Sequence, residues 1–163
     1  MAENTPGPPP PSEHHQRLHD KVGVWDVDCR YFMDPGGDPI AAAGTDEVEA
    51  LGAFWTTARF RCQVMGNTIS GLATTGYDPV RGKYIGTWQD SATPYFYYFE
   101  GDMDEDGALV MVGENVDPMS GQLATYRSVE RCDGDTRSLE LFIEVAPGRE
   151  VQILEYRYKR AAR

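Results

Sequence analysis

The sequence predicts an all-β fold, an antiparallel up-and-down barrel of about ten strands with a short N-terminal helix. Three observations predict it. Apolar residues recur with a period of two along most of the chain, as on strands with one buried face. The alternating runs are separated by short clusters of Gly, Pro, Asp and Asn. No connection is long enough for the crossover that parallel pairing requires. Sequential antiparallel strands resolve their open edges by closing on themselves. A flattened sandwich with a filled core is the alternative.

Residues 1–12 are a Pro-rich lead, expected to be mobile. Its run Pro8 to Pro11 favours polyproline II, which neither nucleates a helix nor joins a sheet. Residues 13–163 are expected to form a single barrel domain. Ser12 suits a helix N-cap and Glu13 the first turn. Leu18 and Val22 form an i, i+4 apolar pair on that helix, and Gly23 ends it.

Beyond Gly23 the period becomes two. Trp25, Val27, Cys29 and Tyr31 alternate with Asp26, Asp28 and Arg30. Asp34 to Pro39 turns the chain, and weaker alternation runs from Ala43 to Ala50. Phe54 to Val64 is a second clean strand, and after Gly66-Asn67 the chain returns from Ile69 to Tyr77. Asp78-Pro-Val-Arg-Gly82 and Asp117-Pro-Met-Ser-Gly121 are hairpin loops built alike. Strands follow over Lys83 to Asp90, Tyr95 to Gly101, Leu109 to Glu114, Gln122 to Arg131, Arg137 to Val145 and Glu150 to Tyr158.

The helix followed by Gly23-Val24-Trp25 resembles the opening of a calycin (lipocalin-like) barrel. The resemblance implies that the Trp plugs the closed end beneath a basic residue of the last strand. Arg157 and Arg160 are the candidates. Nearly the whole chain resembles a bacterial family, domain-of-unknown-function family 1579. That likeness is carried by His14-His15, Leu18 and Gly23-Val24-Trp25, then Gly76-Tyr77-Asp78. It continues through Lys83-Tyr84, Trp88-Gln89-Asp90-Ser91, Asp117 to Gly121 and Arg127-Ser128. It implies a calycin-like barrel and supplies no reaction. Lys21 departs from it, standing where an apolar helix residue is usual, which implies a less firmly anchored helix.

Composition removes several function classes. The chain has 15 basic and 26 acidic residues, a formal net charge of −11, which disfavours nucleic acid and anionic membrane surfaces as partners. No apolar run is long enough for a spanning helix, and the N-terminus does not read as a secretory signal. Cys29, Cys62 and Cys132 are odd in number and widely spaced. That argues against a disulfide framework or a thiolate zinc site and suggests a cytoplasmic location. His14, His15 and His19 all precede the strands, so haem ligation through a strand histidine is excluded, while thiolate or tyrosinate ligation stays open. His15 and His19 share a helix face without an apparent third ligand, and the expectation is solvated histidines. Nucleophile elbows and phosphate loops are absent. No cofactor and no metal centre are assigned.

The candidate site lies on the later strands. Tyr84, Gly86, Trp88 and Asp90 share one strand face. Turned inward, Asp90 is a carboxylate in an apolar cavity, suited to acid–base work. Placed at the rim, it caps the turn before Pro94. Tyr97 belongs to an aromatic run whose outward residues, Phe96 and Tyr98, offer a surface for a homodimer. Arg59 and Arg61 are expected to face water. Arg127 shares a face with Leu123, Thr125 and Val129 and is a candidate to meet an anionic head group inside the barrel. The leading expectation is a small apolar ligand held by Trp88, Asp90, Tyr84, Tyr97 and Arg127. The alternatives are a barrel-enclosed isomerase, cyclase or hydrolase using Asp90, and a protein-interaction module.

Overall fold

A computed structural model describes residues 7–162, so residues 1–6 of the Pro-rich lead lie outside the described residues. Helix α1 (Glu13–His19) precedes ten strands. These are β1 (Gly23–Tyr31), β2 (Ile40–Leu51), β3 (Trp55–Val64), β4 (Asn67–Asp78), β5 (Lys83–Asp90), β6 (Tyr97–Met103), β7 (Leu109–Val116), β8 (Leu123–Asp133), β9 (Thr136–Ala146) and β10 (Arg149–Arg160). Each strand pairs antiparallel with its sequence neighbours, and β10 returns to β1 to close the wall. At that seam Trp25 lies opposite Arg160, Val27 opposite Tyr158 and Cys29 opposite Tyr156. Closure removes both sheet edges, which sets aside the open sandwich.

Local chemistry accounts for the hairpins. Asp78 Oδ1 accepts from the Val80 and Arg81 amides, and Gly82 N–H donates to Asp78 O at 2.8 Å. Asp117 repeats the device with Met119 and Gly121. Gly82 and Gly121 sit at φ 64° and 70°, where a side chain is disfavoured. Strand β2 begins at Ile40, ahead of the expected Ala43, because Ala41 to Gly44 offer too little hydrophobic contrast to reveal the period. Helix α1 ends at His19 rather than running to Gly23. Asp20 is its C-cap, and Val22 lies outside the helix with a partly exposed side chain.

The odd-numbered strands run away from α1 and the even-numbered strands return, so the barrel has two distinct ends. The end beneath α1 is closed. Leu18 packs there against Tyr84 and Leu109, all fully buried. Next to it Trp25, Val27, Cys29, Val48, Phe60, Cys62, Tyr156 and Tyr158 form the main core. A second cluster of Tyr97, Phe99, Tyr126 and Ile143 lies toward the other end, which no described helix crosses. Among the described residues, no helix is long and apolar enough to cross a membrane.

Candidate functional site

The closed end is fastened by polar contacts around apolar rings. Trp25 has no solvent exposure, and its Nε1–H donates to Lys21 O at 2.9 Å. The Arg160 guanidinium lies 4.2 Å above the indole, so of the two candidate cations Arg160 is the cover. Arg157 instead pairs with Glu155 on the surface. Arg160 also donates to the carbonyls of Val22, Gly134 and Asp20. Gly23 makes room for this clasp. A Cβ there would lie 2.5 Å from Arg160 Nη1, and its φ of 139° already disfavours a side chain. The Gly-x-Trp spacing thus has a steric reason.

His15 is buried, contrary to the expectation of solvated histidines. Its Nδ1 accepts from Ser12 N–H at 3.0 Å, which assigns the ring proton to Nε2, facing Tyr77 O at 3.1 Å. His14 stacks on Tyr77 and bonds the Tyr84 hydroxyl at 2.9 Å. Lys21 does not loosen the helix end. It is buried and donates to Glu130 at 3.0 Å. Beside it Arg137 donates to Asp46 at 3.1 Å and stacks over Tyr158 at 4.2 Å, both ion-pair partners being almost fully buried. Burial pushes the Asp46 carboxyl up, with Arg137 opposing. Burial acts likewise on Glu130, but Lys21 and Arg137 outweigh it and hold that carboxyl low. Asp46 Oδ1 and Arg137 Nε are sealed from solvent without a partner.

The other end is chemically different. Its inward side chains include Tyr31, Val64, Ile69, Trp88, Leu141, Val151 and Ile153, which pack on the two core clusters yet remain only partly buried. In a closed wall, inward groups near the open end keep accessible apolar surface on its interior side. The inward polar groups here include phenols and thiols, with the Asp90 carboxylate at the rim. Tyr31 Oη lies 2.7 Å from Tyr156 Oη and 3.4 Å from Cys62 Sγ. Burial raises the phenols of Tyr31, Tyr156 and Tyr126. Burial, followed by Cys62 and Asp28, pushes the Cys29 thiol up to about 12. These phenols and this thiol stay protonated at neutral pH.

The five candidate residues separate into three places. Trp88 and Tyr97 are directly opposite on β5 and β6, in the barrel wall. Trp88 meets Phe60 edge-on, and Tyr97 meets Tyr126 in the same way. Asp90 stands beside them at the rim. Its Oδ2 accepts from Trp88 Nε1–H at 2.8 Å, and its Oδ1 accepts from the Ala92 and Thr93 amides. Tyr84 faces inward on the same strand but lies at the closed end, under α1. Arg127 does not face the interior. It stacks on Phe142 and pairs with Glu150 on the outer wall, because Tyr126 and Ser128 take the inward positions. Of the outer aromatic pair, Phe96 is exposed, while the Tyr98 hydroxyl is engaged by Arg81 and Glu100.

The sequence reading missed the buried Asp46–Arg137 and Lys21–Glu130 pairs. Asp46 and Arg137 do stand at inward positions of their alternating runs, the signal that could have found them. A cleft of about 710 Å³ lies outside the barrel, across the outer faces of β1–β5. Glu47, Arg59, Arg61 and Leu72 line it, an open and mixed-charge surface unlike an apolar site. Among the described residues no group of three or more His, Cys, Asp and Glu side chains converges to hold a metal.

Comparison with known proteins agrees with this architecture. The family described as "Protein of unknown function (DUF1579)" matches residues 10–160. No curated protein matches the sequence. Among solved structures, Rv2717c from M. tuberculosis is similar, with a TM-score of 0.72 at 14% identity, covering 94% of this chain and 100% of that one. The S-type phycobiliprotein lyase CPES from Guillardia theta has a TM-score of 0.61 at 13% identity, covering 91% and 92%. At such identities the likeness is one of fold.

Proposed function

The chain belongs to the DUF1579 family of proteins of unknown function, and we propose that it binds a small apolar ligand in the open half of its barrel. One observation carries this reading. Inward apolar side chains around Trp88, Leu141, Val151 and Ile153 stay partly solvent-accessible behind a closed wall. A filled core would bury them, each large side chain contributing about 1.5–3 kcal/mol on full burial. An apolar ligand recovers that term when it enters. Asp90 serves in this reading as a positioning residue. Its two oxygens accept three hydrogen bonds, which fix the Trp88 ring at the wall.

The test is native mass spectrometry of the protein purified from its own source, with fluorescence titration of the emptied chain by N-phenyl-1-naphthylamine. A released small molecule at one per chain, or saturable probe binding, is the expected result. An empty chain that also leaves the probe dark overturns the reading.

A further inference from the structure

We infer that the chamber takes neutral ligands carrying a hydrogen-bond acceptor, and turns anions away. The inference rests on the ligand-binding reading above and names the class of ligand. Its first ground is the placement of charge. The inward charged side chains Asp46, Arg137 and Glu130 gather at the closed end with Lys21, and the unpaired atoms of Asp46 and Arg137 are sealed from solvent. Arg127, the cation best placed by sequence to meet an acidic head group, is turned outward onto Phe142 and Glu150. An anion in the chamber would lose its water without gaining a cation.

The second ground is the phenol pair. Tyr31 and Tyr156 share one short bond, so one of the two phenol protons is used within the pair. If Tyr156 donates, the Tyr31 proton has only the Cys62 sulfur, a weak acceptor, at 3.4 Å. In that arrangement the partly exposed Tyr31 offers its proton to a carbonyl or ether oxygen. Burial keeps both phenols protonated, which preserves that donor.

The third ground is the mouth. Met33, Met65, Phe96, Met119, Leu123 and Val145 are exposed, and all lie in or beside the connections at the open end. A ligand therefore passes exposed apolar groups at the mouth.

The experiment uses a matched pair of probes. N-Phenyl-1-naphthylamine is neutral, and 1-anilinonaphthalene-8-sulfonate is the same skeleton with a sulfonate. The expected result is at least about tenfold weaker binding of the sulfonate, from the cost of stranding its charge in an unpaired site. The gap should persist in 1 M salt, where the screening length is about 3 Å. A smaller gap, or one that closes in salt, overturns the inference while leaving the ligand-binding reading intact. Darkness with both probes overturns that reading and the inference with it. For the acceptor, the neutral naphthyl ketone 6-propionyl-2-dimethylaminonaphthalene is titrated against a Tyr31→Phe, Tyr156→Phe double variant. Its affinity should fall about threefold or more, a typical effect of one hydrogen bond. Naphthylamine affinity should fall by less than that of the ketone, and an unchanged far-UV circular dichroism spectrum reports an intact barrel. Ketone affinity equal to wild type overturns the acceptor assignment.

Discussion

Replacing Arg160 by Ala should unfasten the closed end, and the cost can be worked from its contacts. The guanidinium lies 4.2 Å from the Trp25 ring centroid, an arrangement worth about 0.5–2 kcal/mol. Its bonds to the carbonyls of Val22, Gly134 and Asp20 span 2.9 to 3.3 Å. The side chain is about a third exposed, so about 0.5–1 kcal/mol net for each is appropriate rather than the larger value for buried charged groups. The pair with Asp135 is open to water on the carboxylate side and adds about nothing. The total is about 3 kcal/mol, or a fall in Tm of about 6–12 °C for a domain of this size. Arg160→Lys keeps the charge but cannot bridge three carbonyls, and should lose about half as much. Urea unfolding followed by Trp fluorescence measures both. An Arg160→Ala protein within about 0.5 kcal/mol of wild type, the range of an ordinary surface change, would refute the clasp.

Two further predictions concern the other observations. Asp46 has its folded pKa raised above the ordinary 3.8, so the native state holds the proton longer. Its contribution is full below 3.8 and is lost as pH rises through the folded value. Glu130 is held below its ordinary 4.5, so its contribution is present above 4.5 and is lost as pH falls through the folded value. In urea titrations from pH 3 to 7, Asp46→Asn should remove a decline on the rising side, and Glu130→Gln should flatten the acid loss. Profiles parallel to wild type would contradict both assignments. In Gly71→Ala, the new Cβ would stand 2.1 Å from the Trp88 ring. The variant should lose about 1–3 kcal/mol by overpacking and bind the naphthylamine probe more weakly, whereas wild-type stability and affinity would show that Trp88 does not hold this place.

The fold was legible in the sequence because period-two alternation and Gly/Pro/Asp turns are local signals, and all ten strands carry them. The weakest, β2, was read short at its start since Ala41 to Gly44 hide their alternation. The Trp25 plug came from the calycin resemblance, which left Arg157 and Arg160 open as its cover, and the seam register, with Trp25 opposite Arg160, decides between them. The site was legible in part. Trp88 and Tyr97 meet at the wall because they are cross-strand partners. Tyr84 shares their face, but four residues of strand carry it to the other end of the barrel. Arg127 failed for a different reason. It follows Tyr126, and which of two adjacent residues turns inward depends on register with β9, where Ile143 opposes Tyr126 and Phe142 opposes Arg127. His15 and Lys21 look solvent-facing in one dimension, yet helix α1 lies over the barrel end and buries both against partners far away in sequence.

The open half carries some short inward side chains. Ala42 and Ala124 stand at inward positions, packed at the edges of the two core clusters. Filling a ten-stranded barrel calls for large side chains at such places, as the closed end shows with Trp25, Tyr84 and Tyr158. Short side chains there leave apolar surface uncovered and forgo stabilisation that Leu or Ile would supply. The closed end offsets this with its Arg160 clasp, the buried helix contacts and the Trp25 plug. The two halves therefore differ in kind: buried charge and bulk gather at one end, and short or apolar inward side chains at the other.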